Sequence, residues 1–391
     1  MELGKRKKVL AILDSKDLYG KERANILVYD VLRRNGHEVL VLYNDLASQK
    51  FRSSISQLRS KRVAFPRKVE GPFKILKSAY RLLISNLQVV YWLLVFRPNT
   101  VLIPTELALF YLYIPLLITK ATVIFRAGDN PVASKVNGVL GAIYSFVWCK
   151  IVSRNVDKFV CITNFIEAKF KSTGNLKGRS FEVIYNLPPV PDVHLKNKES
   201  NSRVGLGSET GNLVFGYIGR IVHEKGVHVL IEAVKQLSEN GYEFSLVIAG
   251  SLTLDQAYSN DILEYCKKFK LQPTIKFIGE VDIIEEFYQQ IDVLCVPSIY
   301  EEPSGNVIVE AKYYCRPSVI FRLGGMPELI RHEEDGYVCN NISASGIIDG
   351  LLFYLENSRK AREHGFAAKN SLKKLGLTYR HFEYQWMNIL G

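Results

Sequence analysis

No two of the six cysteines, Cys149, Cys161, Cys266, Cys295, Cys315 and Cys339, form a CxxC pair. That argues against a zinc ribbon, and nothing demands an oxidising compartment. Buried free thiols in a reducing cytosol are the plain reading. The opening apolar run, Val9–Leu13, is shorter than the roughly 7–15 residues of a signal-peptide core. Residues 99–118 are apolar but carry Pro104, Glu106 and Pro115, where a membrane span needs about 20 uninterrupted residues. There is no GxxxxGK[ST] phosphate loop, no internal repeat and no low-complexity tract. Acidic residues are scarce in the first half. Residues 1–180 hold 30 Lys and Arg against 12 Asp and Glu, while 181–391 hold 21 against 27.

What remains is an ordinary globular composition, with 391 residues, 47% of them apolar and 23% charged. Disordered, collagen-like and disulfide-scaffold chains are excluded, and the length suits two or three domains. The charge asymmetry points either to an anionic partner of the first half (membrane lipid, nucleic acid or a phosphorylated substrate) or to a merely soluble basic surface. Leu82–Phe96 is apolar with basic flanks, Lys74, Lys77, Arg81 and Arg97. It reads either as a helix lying on a membrane surface or as a core helix with a basic edge.

The chain opens with a strand over Lys8–Leu13, a helix from about Lys21 to Asn35 stopped by Gly36, and a strand over Glu38–Tyr43. This βαβ start favours a parallel sheet. Ser48–Gly71, polar and without periodicity, reads as a mobile loop. Residues 186–203, with Pro188, Pro189 and Pro191, read as the linker. Beyond it, strands at Leu213–Ile218, Ser245–Ala249, Thr274–Ile278, Val293–Val296, Ser318–Phe321 and Tyr337–Cys339 alternate with helical patterns. One of these, Val227–Asn240, puts Leu230, Ala233, Val234 and Leu237 on one face. The fold class is therefore α/β, with two doubly wound Rossmann-like domains, and such sheets bind ligands at the carboxyl ends of their strands.

Three loops in the second half follow strands. Gly219-Arg220-Ile221-Val222-His223-Glu224-Lys225-Gly226 sets two cations beside a helix start. They are either an anion site or two solvated surface charges. Lys225 there opposes the helix dipole, a conflict that a nearby anion would resolve. In Pro297–Ala311 the Pro303-Ser304-Gly305 turn precedes a helix that Ser304 or Asn306 could cap. Glu302 stands before it and Glu310 one turn inside. These acids either serve chemistry or simply complement the dipole. Gly324-Gly325-Met326-Pro327-Glu328 forms the third loop. Three loops at strand ends of one domain would converge on one cleft.

These three runs, in this order, resemble the donor domain of retaining glycosyltransferases of family 4, which have the two-domain GT-B fold. Glu302 and Glu310, separated by seven residues, match that family's paired glutamates. The resemblance is specific over about 205–340. It continues more weakly through Leu18-Tyr19-Gly20-Lys21-Glu22-Arg23, Val160–Phe165 and Val183–Asn186. It implies an acceptor-binding domain over 1–188, a nucleotide-sugar donor domain over 189–375, and a C-terminal helix, 376–391, returning to the first. It further implies that Arg220 and Lys225 hold the donor diphosphate, that Glu310 holds the ribose and that Glu302 stands near the transferred sugar. Gly305, Asn306 and Val307 would offer backbone N–H groups, and Gly20 would lie in the first phosphate loop. Where the family often has a histidine, this chain has Arg126-Ala127-Gly128-Asp129, so Arg126 or Asp129 is the expected sugar or acceptor contact. Gly20 stands where two glycines are common, and Ser304 where an aromatic is.

The resulting expectation is a retaining, metal-independent glycosyltransferase with no cofactor. It would use a nucleotide-sugar donor and a saccharide or lipid-diphosphate-linked acceptor in surface polysaccharide biosynthesis, such as capsule or O-antigen. It would be cytoplasmic, peripheral on the anionic inner face of the plasma membrane. No nucleic-acid module is legible. The alternatives are a nucleotide-sugar epimerase of the same fold, or a non-catalytic membrane-associated partner of polysaccharide assembly.

Overall fold

In a computed structural model, the described residues are 6–66, 74–132, 138–173, 176, 179–188 and 212–391; the side chains of Val139 and Leu140 fall outside the description. The chain divides into two compact units: Met1–Pro189 with Tyr379–Gly391, and Val190–Thr378. Most of the linker expected over 186–203 lies outside the described residues.

Unit one starts with β1 (Lys8–Leu13), α1 (Gly20–Arg34), β2 (Glu38–Asn44), α2 (Gln49–Ser54) and β3 (Arg59–Val63). Then come α3 (Lys74–Phe96), β4 (Thr100–Ile103), α4 (Glu106–Tyr111), α5 (Tyr113–Ile118) and β5 (Thr122–Ala127). α6 (Gly138–Lys150), β6 (Lys158–Cys161), α7 (Asn164–Ser172) and β7 (Ser180–Val183) complete its first part. The sheet is parallel with order β3-β2-β1-β4-β5-β6-β7. Val9–Leu13 of β1 are all buried, because a parallel sheet is covered on both faces and its central strands read as unbroken apolar runs. Leu10 and Ile12 face a cluster that also takes Val89, Leu93 and Phe96 of α3, Leu116 of α5 and Trp148 of α6.

Of the segment 48–71, the described part, 48–66, is not the loop that its composition suggests. It holds α2, capped by Ser48, and β3, an edge strand paired with β2. Of β3 only Val63 is buried. The other positions carry Arg59, Lys61 and Arg62, and charge of this kind protects an edge from further pairing. Arg59 pairs with Glu38 at 2.6 Å.

Unit two contains β8 (Val214–Ile218), α8 (Val227–Glu239), β9 (Ser245–Ala249), α9 (Gln256–Lys268) and β10 (Ile275–Gly279). α10 (Ile284–Gln290), β11 (Val293–Val296), α11 (Asn306–Tyr313), β12 (Ser318–Phe321) and β13 (Tyr337–Cys339) follow. α12 (Ala344–Leu355) and α13 (Arg359–Lys374) close it. Its parallel sheet runs β10-β9-β8-β11-β12-β13. In both sheets the order reverses beside the first strand, between β1 and β4 and between β8 and β11. That reversal opens a crevice at the strand ends.

The last helix, α14 (Tyr379–Leu390), belongs to unit one and packs on α1, burying Phe382, Trp386, Ile389 and Leu390. Lys158 donates to the Ile389 carbonyl at 2.7 Å, and Lys7 to that of Gly391 at 2.9 Å.

Candidate functional site

The three loops after β8, β11 and β12 touch one another, and two glycines make this possible. Gly226 follows the short turn His223–Lys225 in the left-handed region, φ 67°, and caps α8. A Cβ at that position would lie 1.9 Å from the Pro297 carbonyl oxygen. Gly324, φ 65°, lies so close to the next loop that a Cβ would meet the Glu302 carbonyl oxygen at 2.3 Å. Backbone bonds fix the contacts: Ile299 N–H donates to Glu224 at 3.0 Å, and Gly325 N–H to Glu302 at 2.8 Å. Only glycine combines that backbone with that approach.

At the meeting point Lys225 pairs with Glu302 through Oε1. Both side chains are largely buried. Ser298 Oγ donates to the same oxygen at 2.7 Å and the Tyr300 hydroxyl to Oε2 at 2.8 Å. Lys225 Nζ also stands 5.0 Å from the Tyr300 ring centroid. A cation near the start of α8 works against the helix dipole. Here the offsetting anion is Glu302, brought from 77 residues away. Arg220, on the same loop, is half-exposed and pairs with Glu224 at 3.3 Å. Its carbonyl accepts the Tyr217 hydroxyl at 2.6 Å. Tyr217 is pushed up strongly, first by burial and then by the charge of Glu302.

Glu310 is the fifth residue of α11 and turns to a different partner. The buried Tyr288 hydroxyl, on α10, lies 3.0 Å from Glu310 Oε2 and 3.1 Å from the Val307 carbonyl. Burial, followed by the Glu310 charge, holds that hydroxyl well above its ordinary range. The helix is not capped by Ser304 or Asn306. Gly305 takes the cap position without a side-chain bond, and Ser304 Oγ sits 3.4 Å from Asn306 Oδ1. Asn306 and Val307 open α11, and the next N–H, that of Ile308, donates to the Gly305 carbonyl at 2.8 Å. Behind them Lys312 forms a fully buried pair with Asp335 at 3.2 Å and donates to Ser371 Oγ at 2.9 Å. Burial lowers this lysine's pKa, and Asp335 opposes the shift. Neither Tyr288 nor Lys312 was singled out from sequence. A lone lysine among the buried Ile308, Val309 and Ala311 was the available signal.

In unit one, Gly20 begins α1 just after Tyr19, whose N–H donates to Glu22 at 3.2 Å. Arg126 and Asp129 part company. Arg126 does not stand at a surface where it could meet a ligand. It is buried at the end of β5, donates to Asn25 Oδ1 at 2.7 Å and to Asn186, and lies 6.0 Å from the Trp386 ring. Burial lowers its pKa to about 10. The reason is architectural: its side chain ties β5 to α1, to the end of the first part of the unit, and to α14.

Asp129 lines a cavity of about 350 Å³ beyond the ends of β1, β4 and β5, together with Asp14, Lys21, Thr105 and Glu106. Asp14 Oδ2 accepts from Thr105 and Tyr111, each at 3.0 Å. Glu106 accepts from Tyr144 at 2.7 Å and from Val132 N–H at 2.8 Å. Three carboxylates face one lysine. Such a lining accepts hydroxyl donors and disfavours phosphate.

Residues 198–371 match the family model of glycosyl transferases group 1. The chain is 31% identical over 245 residues to an uncharacterized glycosyltransferase of Methanocaldococcus jannaschii, covering 59% of this chain and 58% of that one. It is 28% identical over 182 residues to the capsular polysaccharide biosynthesis glycosyltransferase CapM of Staphylococcus aureus, covering 44% and 47%. The chain thus spans about half the length of the curated relatives it matches. Among solved structures, Anabaena HepE in complex with UDP-glucose superposes with a TM-score of 0.78 at 19% identity, over 98% of this chain and 99% of that one. Sucrose-phosphate synthase of Thermosynechococcus elongatus gives 0.76 at 17%, over 98% of each. The fold is the two-domain GT-B architecture of these glycosyltransferases. The match to glycosyl transferases group 1 falls on the sequence of the second unit.

Proposed function

We propose that the protein is a retaining glycosyltransferase of the family 4 kind, moving a sugar from a nucleotide-diphosphate donor to a saccharide or lipid-linked acceptor of a surface polysaccharide. The observation that carries this reading is the meeting of the Arg220–Lys225 loop with Glu302 just before the start of α11. Breaking a glycosyl–diphosphate bond puts negative charge on the nucleotide and positive character on the sugar. Arg220, Lys225 and the N–H groups of Asn306 and Val307 answer the first, and the Glu302 carboxylate answers the second. Glu310, held against Tyr288, accepts the ribose hydroxyls. Two cations at the diphosphate supply the charge that a divalent ion supplies elsewhere, so the reaction proceeds without metal or cofactor. Lys225 binds the donor phosphates at the expense of its bond to Glu302, which releases the carboxylate toward the sugar.

The acid-lined cavity of unit one suits saccharide hydroxyls of the acceptor. The basic surface of that unit supports a peripheral position on the cytoplasmic, anionic face of the plasma membrane.

A thermal-shift screen of nucleoside diphosphates tests the donor site. A true ligand at 100 times its dissociation constant stabilises the protein by about 2.7 kcal/mol, and no stabilisation by any of them would refute the reading. Product analysis with and without acceptor separates transfer from epimerisation.

A further inference from the structure

α3 is 23 residues long, yet only Ser85, Val89, Leu93 and Phe96 are buried. This narrow stripe holds the helix along the sheet, and Arg81 anchors its first half through Asp45 at 2.5 Å and the Phe65 carbonyl at 3.0 Å. Many of its other apolar side chains face solvent: Ile75 is 79% exposed and Leu94 66%, with Leu76, Leu83 and Leu87 between them. The exposure continues onto the neighbouring elements. Ile114 and Leu117 of α5 and Ile143 and Phe146 of α6 are each more than half exposed. α5 packs beside α3, and Phe110 of α4 stacks near Tyr144 and Trp148 of α6. All of them cover the same face of the sheet. Large apolar side chains exposed on three helices over one face of a sheet are more than singly scattered surface residues, and such clusters mark interaction sites.

We infer that this face inserts into the hydrocarbon edge of a lipid bilayer, with α3 lying in the interface rather than crossing it. The charge pattern selects lipid over protein. The four helices α3 to α6 contain one acid, Glu106, and it is buried. Among the described residues the exposed charges on these helices and at their ends include Lys74, Lys77, Lys120 and Lys150. Lysine stems can lie along the apolar zone while their ammonium groups reach lipid phosphates. A second copy of the chain on the same face would set these cations against one another. Tyr80, Tyr91 and Trp92 supply the amphipathic rings that favour a membrane interface. This extends the membrane contact of the proposed function from charge to apolar insertion. It does not depend on the donor site.

The chain carries its own reporter. Of its three tryptophans, Trp148 and Trp386 are fully buried, and only Trp92, on α3, is partly open. The experiment uses the full chain with vesicles of phosphatidylcholine and phosphatidylglycerol whose acyl chains are brominated, in low salt and in 1 M salt, where the Debye length is about 3 Å. Insertion predicts quenching of Trp92 that survives high salt and is absent in Trp92→Phe. The double variant Leu83→Ser/Leu94→Ser, altered only at exposed positions, binds roughly a hundredfold more weakly. Its circular dichroism and its nucleoside-diphosphate binding stay at the parent level. Binding that salt abolishes, with no quenching, leaves a purely electrostatic contact and overturns the inference. So does a dimer that the same double variant dissociates without any vesicle binding. Loss of nucleotide binding with quenching intact counts against the donor site alone.

Discussion

Replacing Glu302 by glutamine should tighten the binding of a nucleoside diphosphate while slowing the enzyme. In the unliganded protein Lys225 is engaged by the Glu302 carboxylate in a place largely closed to water. A charge-assisted bond of this type contributes about 1.5–3 kcal/mol, and the diphosphate has to compete with it for the same ammonium. A neutral amide keeps the shape and one acceptor oxygen, its nitrogen donating where the second carboxylate oxygen accepted, and it competes about half as strongly for the ammonium. The difference, about 1 kcal/mol, corresponds to roughly fivefold tighter binding. Turnover moves the other way. Loss of a fixed charge facing developing charge lowers it by about a hundredfold. Titration calorimetry with the nucleotide alone, beside initial rates with acceptor, separates the two effects. The gain in affinity should vanish in the Lys225→Ala background, because the competition then has no object. Unchanged or weaker nucleotide binding by Glu302→Gln would refute the idea that donor and carboxylate contend for Lys225.

Tyr288→Phe removes the hydroxyl that holds Glu310. The apparent donor KM should rise by roughly five- to tenfold with kcat little changed, a split that steady-state kinetics reads directly. Arg126→Ala leaves the Asn25 and Asn186 side-chain oxygens without their buried donor; urea unfolding should show a loss of about 2–4 kcal/mol in unit one, while nucleotide affinity in unit two stays constant. Cys161, Cys266 and Cys339 are pushed up by burial to about 12, 11 and 12, and Cys295 is raised further. Since only the thiolate reacts, a thiol reagent at pH 8 should titrate no more than Cys149 and Cys315 in the native protein and all six after denaturation; more than two fast thiols would contradict the burial.

The central strands and amphipathic helices were readable because burial there repeats in the sequence. β1 holds an unbroken apolar run over Val9–Leu13, and α8 shows Leu230, Ala233, Val234 and Leu237 at helical spacing. β3 escaped because a single buried residue, Val63, makes no pattern. The conflict at Lys225 was legible, since a cation at a helix start calls for an anion. The identity of that anion was not, because a 77-residue separation is a property of the fold rather than of local spacing. Arg126 misled for the same reason. An arginine beside Gly128 and Asp129 looks like part of a ligand loop, and only Asn25 and Asn186, 101 and 60 positions away, show it to be an interior tie.

The placement of α14 bears on how the chain is made. Unit one is built from both ends of the sequence, with unit two encoded between them. The α1 surface that receives Phe382 and Trp386 therefore leaves the ribosome long before its cover does. At about 5–20 residues per second, the roughly 200 residues between the two parts take on the order of 10–40 s to synthesise. For that interval unit one exists as an open sheet-and-helix layer. Asn35 waits for Glu383, and Lys158 for the Ile389 carbonyl. Unit two, contiguous in sequence, can close on its own before unit one is finished. The order of synthesis makes the half that is written first the last to complete its fold.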